Sequence, residues 1–142
     1  FICDFLKGII PALIGLLWLG ELGGIIGGSM AVIGHCYPIW LKFIGGKGVA
    51  TSAGILIVLM PDICILLLIG QFLIIALTKY MSLASLLSAV LLPILAFIFS
   101  KSDQMVLFSI SLAIFVIFRH RANLLRLIKG TESKLVVKKK KT

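Results

Sequence analysis

The stretch Gly45-Gly46-Lys47-Gly48 combines the two things an anion needs, free backbone donors and a fixed positive charge. Glycines lack the Cβ that would keep neighbouring N–H groups from converging, and Lys47 adds a full charge. The apolar run that begins at Val49 predicts a helix whose positive dipole end aims at the same place. The local chemistry suits a phosphate. It is not a Walker A loop: Gly48 stands where a Ser or Thr should follow the lysine, and Leu41 stands where the first glycine belongs. On its own, the segment could equally be a flexible connection with a snorkelling Lys47.

Other polar groups gather in similar patches. His35 lies in Gly34-His35-Cys36-Tyr37-Pro38, just before the glycine loop. Ser82 and Ser85, three residues apart, can share a helical face. Ser82 alone reads as an N-cap, and Ser85 could bond to its own backbone or to a neighbouring helix. Further on, Arg119, Asn123 and Arg126 follow helical spacing, with His120 one turn before Asn123 and Gly130 suited to end the helix. Alone, this stripe could be an amphipathic helix resting on lipid headgroups.

These patches must be carried by apolar helices. Of 142 residues, 61% are hydrophobic and the mean hydropathy is +1.21, more apolar surface than one soluble core of this length can bury. The expected fold is all-α, a polytopic transmembrane helical bundle. Apolar segments run over Ile9–Leu19, Ile25–Leu41, Val49–Met60, Ile63–Leu77, Leu83–Phe99 and Met105–Phe118, with a turn expected at Pro61-Asp62. Six alternating crossings place 13 of the 14 Lys and Arg residues at one face, leaving Lys101 with Glu21, Asp62 and Asp103 at the other. The positive-inside rule makes the basic face cytoplasmic.

The net charge of +9 reads as attraction to anionic lipids, because the basic residues sit at helix ends and in Lys138–Lys141; no aromatic-interleaved platform argues for nucleic acid. Cys3, Cys36 and Cys64 are widely spaced and suit reduced thiols, and no ligand spacing predicts a metal site.

Taken together the patches resemble the acyl-phosphate-dependent glycerol-3-phosphate acyltransferases of bacterial membranes. The residues that carry the resemblance are Gly34-His35-x-Tyr37-Pro38, Phe43-x-Gly45-Gly46-Lys47-Gly48-Val49-Ala50-Thr51, Tyr80-x-Ser82-Leu83-Ala84-Ser85 and Arg119-His120-Arg121-x-Asn123-x-x-Arg126-Leu127-x-x-Gly130, with Asp4-x-x-Lys7-Gly8 near the start. The resemblance implies about six spans present of an expected seven, with a first helix and its Gly/Ser/Asn motif missing before Phe1. It implies a transmembrane acyltransferase domain over residues 1–130 and a basic cytoplasmic tail over residues 131–142. Lys79 departs from the family's usual Arg and keeps charge without a bidentate fork.

By the same resemblance the chain is an enzyme of the bacterial cytoplasmic (inner) membrane, moving a fatty acyl group from acyl phosphate to glycerol 3-phosphate to give lysophosphatidic acid. No cofactor is implied; the partners are the two substrates, membrane lipids and an enzyme that produces acyl phosphate. Lys47, His120 and Asn123 carry the expected catalytic roles. Gly45, Gly46, Gly48, Ser82, Ser85, His35, Arg119 and Arg126 would hold substrate. His120 is expected as a phosphate-binding donor, with general-base chemistry as the other role. No nucleophile–base–orienter triad is legible, which leaves electrostatic positioning of two anions as the expected mechanism. A small-anion transporter or channel is the competing class, although the span interiors are almost uncharged. A purely structural lipid-binding subunit would leave the Gly45–Thr51 segment unexplained.

Overall fold

The protein's structure, a computed structural model, describes residues 1–38 and 45–135. The described residues form α1 (Ile2–Cys36), α2 (Val49–Leu59), α3 (Pro61–Thr78), α4 (Met81–Ile98), α5 (Asp103–Arg119) and α6 (Arg121–Ile128), with no strand among them. By length and composition α1, α3 and α4 can cross a membrane, and α5 with α6 makes a fourth candidate bent by 63°.

Helix α1 is two rods. Leu19 and Gly20 leave helical geometry, with Gly20 at φ 64° and ψ −151°, a conformation open essentially to glycine. The arms, residues 2–18 and 21–36, double back on each other as a hairpin. Glycines let them touch: a Cβ on Gly23 would overlap the Gly15 carbonyl, and one on Gly27 the Pro11 carbonyl. The first two apolar segments are therefore separate rods, as expected. The second arm stops at Cys36, earlier than the expected Leu41, because Pro38 follows. Leu41, Lys42 and Phe43 lie outside the described residues.

At 11 residues α2 is only about 17 Å long, short of a full crossing. It survives by being enclosed. Thr51, Ser52, Gly54, Ile55 and Leu56 are buried, and Gly8 and Gly54 bring α1 and α2 into backbone contact, since a Cβ on either would strike Thr51 or Phe5 carbonyl oxygen. The break that follows is at Met60 (φ −142°, ψ 66°), and Pro61 opens α3 where its missing N–H costs nothing.

Helices α2 to α5 share a core of Ile55, Met60, Ile63, Leu67, Leu92, Phe108 and Leu112. Outside it the usual pattern inverts: Trp18, Phe72 and Phe97 are more than 70% exposed, as befits a surface solvated by lipid. The rods alternate in direction, and the charges at their ends fall where alternation requires. At one end Lys101 donates to Asp62 at 2.7 Å, and Ser102 donates to Glu21. The other end holds the glycine loop, His120 and α6.

Candidate active site

At that second end a cleft of about 910 Å³ opens between α1, the glycine loop, α3, α4 and α6. His35, Gly46, Lys47, Gly48, Ser82, Ser85, His120 and Asn123 all line it, together with Asp4, Gln71, Glu132 and Lys134. Eight of the eleven residues expected from sequence thus meet in one place. Gly45, Arg119 and Arg126 stand around it.

The geometry of the loop suits an anion. Gly48 caps α2 with φ 80° and ψ 1°, the left-handed region, and a Cβ there would stand 3.0 Å from Cys36 Sγ. This turn brings Lys47, which is exposed, directly ahead of the first free N–H groups of α2. On one side Gly46 abuts His35, whose Nε2 a Cβ would overlap; His35 Nδ1 lies 3.4 Å from Asp4 Oδ1. On the other, Arg119 Nη2 donates to Gly46 O at 2.9 Å and Gly45 O at 3.3 Å while its guanidinium lies over the Tyr37 ring at 4.9 Å.

His120 is the hinge between α5 and α6 and is 2% exposed. Its Nδ1 lies 2.9 Å from the Val116 carbonyl, which can only accept, so Nδ1 carries the proton and a neutral ring offers Nε2 as an acceptor. Burial pushes the imidazole below its ordinary value of 6.5, and the Lys47 and Arg119 charges push the same way, so the neutral ring prevails at pH 7. The hinge also alters the expected stripe. Arg119 closes α5 and turns to the glycine loop, whereas Asn123 and Arg126 ride on α6, which bends away by 63°. The bend keeps Arg121, Arg126 and Lys129 in water, since α6 is strongly amphipathic and only Asn123 of its residues is buried.

Asn123 and Arg126 are joined by a residue given no role from sequence. Asn123 Nδ2 donates to Glu132 Oε1 at 2.6 Å and Arg126 Nε donates to Oε2 at 2.7 Å. Gly130 (φ 67°) ends α6 in a Schellman turn, with Thr131 N–H donating to Arg126 O and Gly130 N–H to Leu127 O, and this swings Glu132 back over the helix. Burial alone would raise the Glu132 carboxyl; donors on Asn123, Ser82 and Arg126 outweigh it and hold its pKa at about 2 against an ordinary 4.5. Residues 131–135 continue across the cleft rim, where Leu135 N–H donates to Lys79 O. One of only two carboxylates on a face otherwise basic, with Asp4 the other, was the available signal.

Ser82 is not the N-cap expected. Tyr80 takes that position, which puts Ser82 inside the first turn of α4 with its hydroxyl buried, facing Glu132 without a full hydrogen bond. Ser85 makes both bonds foreseen for it, donating to Met81 O at 3.0 Å and accepting from Gln71 Nε2 at 3.1 Å. Gln71 also went unremarked in the sequence. It is a polar side chain within an apolar rod, where the bond to Ser85 joins α3 to α4.

Residues 1–130 match the family described as "Glycerol-3-phosphate acyltransferase". The chain belongs to this family. A glycerol-3-phosphate acyltransferase of Thermoanaerobacter sp. (strain X514) is 45% identical over 135 residues, covering 95% of this chain and 68% of the relative. The crystal structure of PlsY (YgiH), an integral membrane glycerol 3-phosphate acyltransferase, in its glycerol 3-phosphate form superposes with a TM-score of 0.90 at 32% identity over 95% of this chain and 68% of that one. Its lysophosphatidic acid form gives the same TM-score and identity over 95% and 70%. The acyltransferase family thus accounts for the all-helical membrane architecture.

Proposed function

We infer that this acyltransferase joins a fatty acyl group from acyl phosphate to the primary hydroxyl of glycerol 3-phosphate, at the cytoplasmic face of a bacterial inner membrane. One observation carries the reading: the glycine loop, Lys47, Ser82, Ser85, His120 and Asn123 converge on a single cleft at the basic end of the bundle. The excess of 13 basic residues to 1 supports a cytoplasmic orientation for that end. An enzyme that makes acyl phosphate would supply the donor.

Two anions must be held together, and the cleft has the donors for it. Lys47, the loop N–H groups and the α2 terminus would hold one phosphate; Asn123 and the serines face the remaining space. The glycerol hydroxyl oxygen attacks the acyl carbonyl carbon, and the bond from that carbon to the phosphate oxygen breaks. The neutral His120 accepts the hydroxyl proton at Nε2 and returns it to the leaving phosphate. This acceptor role fits the Nδ1–H bond to Val116 better than donation to phosphate, since a neutral ring has no second N–H to give. Acyl transfer by the purified protein in detergent, run beside uptake of labelled anion into sealed proteoliposomes, tests the reading. Lysophosphatidic acid formation without uptake supports it; uptake without product rejects it in favour of a transporter.

A further inference from the structure

Arg119 looks from sequence like one more phosphate ligand, yet its contacts face the wrong way for that. Nη2 is committed to the carbonyl oxygens of Gly45 and Gly46, at 3.3 and 2.9 Å. The guanidinium plane is covered by Tyr37 at 4.9 Å, and Tyr37 is itself braced edge-on by Phe115. Nε is buried without a partner. The cleft is lined by Gly46, Lys47 and His120 on either side of it, but not by Arg119.

Peptide geometry gives those two carbonyl bonds a consequence. A trans peptide is planar, with its C=O and N–H pointing in opposite directions. The Gly45 carbonyl shares its plane with the Gly46 N–H, and the Gly46 carbonyl shares its plane with the Lys47 N–H. By taking both carbonyls, Arg119 turns both N–H groups away from itself, and no protein acceptor among the described residues takes either one. His35 packs against the opposite side of Gly46, where a Cβ would overlap its Nε2.

We propose that Arg119 is a positioning residue: its guanidinium, stacked on Tyr37, fixes two peptide planes of the glycine loop so that the Gly46 and Lys47 amides form an anion nest beneath the Lys47 ammonium. This rests on the acyltransferase reading for its kinetic test and on geometry alone for its structural one. The arginine does its work from behind the loop, which carries the substrate contact. Its removal loosens the nest and the aim of Lys47 together, a part of what loss of Lys47 itself costs, whereas an independent ligand would cost only its own contact.

A double-mutant cycle separates these. Arg119→Ala, Lys47→Ala and the double variant are compared for kcat and for KM toward glycerol 3-phosphate, while trypsin cleavage after the exposed Lys47 is timed without substrate in the wild type and in Arg119→Ala. The expected result is a loss of roughly 10–100-fold in kcat/KM for Arg119→Ala. The double variant should be no more than about threefold worse than the less active single, and cleavage after Lys47 should accelerate in Arg119→Ala before any ligand is added. Losses that multiply, or a cleavage rate that is unchanged, overturn the proposal. If Arg119→Ala fails to fold, Tyr37→Leu removes the stacking partner while keeping the charge. It should give faster cleavage after Lys47 and a raised KM, and wild-type values for both would equally overturn it. A wild-type chain with no acyl transfer would reject the functional reading and leave the cleavage measurement to decide the positioning role.

Discussion

Gly48→Ala probes the loop at its most constrained point. Gly48 sits at φ 80°, where an L side chain costs about 1–2 kcal/mol. The added Cβ would also stand 3.0 Å from Cys36 Sγ and 3.4 Å from Val32 Cγ1, a crowding that the thiol can relieve by moving a few tenths of an ångström. The dihedral therefore dominates, and the total strain is about 2 kcal/mol. The loop can relieve it by rotating out of the left-handed region, which turns Lys47 from the cleft. Strain of this size lowers the share of loops in the competent shape by at most roughly 30-fold, and apparent affinity falls by the same factor. The predicted outcome is a KM for glycerol 3-phosphate raised about 10–30-fold with kcat within about threefold, because bound substrate restores the loop. Initial rates of labelled lysophosphatidic acid formation in micelles measure both constants. Adding Cys36→Ala should recover only a small part of the loss, since it removes the crowding and not the dihedral cost. An unchanged KM, or a fall confined to kcat, would refute the argument that the loop shape binds the anion.

Other perturbations follow from the same geometry. Lys47→Ala should lose at least about 100-fold in kcat/KM while still inserting as a folded bundle by circular dichroism. For His120 the neutral ring is the active form and burial holds its pKa below the ordinary 6.5, so the midpoint of the acid limb of kcat/KM should lie below pH 6.5. An acid limb with its midpoint at or above 6.5 would contradict that placement. Glu132, held at about 2 against 4.5 in the unfolded chain, contributes stability that is complete above pH 4.5 and lost as pH falls through 2. Thermal midpoints across that range should fall in the wild type and much less in Glu132→Gln, which starts lower. Gly54→Ala should cost about 1–3 kcal/mol of stability in denaturant titration, because its Cβ meets Phe5 backbone and not a movable side chain.

The architecture was legible because lipid simplifies the rules. Apolar length, Pro61 and the segregation of lysines and arginines were enough to place six rods and both faces, and the Lys101–Asp62 pair shows why the alternation was right. The site was legible as a set of residues but not as a set of roles. Helical spacing put Arg119, Asn123 and Arg126 on one stripe; the stripe is cut at His120, where a buried imidazole and the need to keep α6 charges in water bend the chain by 63°. Ser82 looked like a cap because capping is what serine does at a helix start, whereas Tyr80 takes the position and leaves the hydroxyl inward. Glu132 and Gln71 escaped notice for opposite reasons. The carboxylate needed the Schellman turn at Gly130 to return it to Asn123, a contact that no periodicity foretells. Gln71 was hidden in an apolar run whose length was the only feature read from it.

The proposed phosphate site lies against Lys47 in the cleft at the basic end. Amine-reactive labelling with mass-spectrometric readout tests it within one sample, because Lys101 at the opposite end serves as an internal control. Glycerol 3-phosphate should protect Lys47 in a saturable way and leave Lys101 unaffected. Equal labelling of Lys47 with and without saturating glycerol 3-phosphate would contradict it.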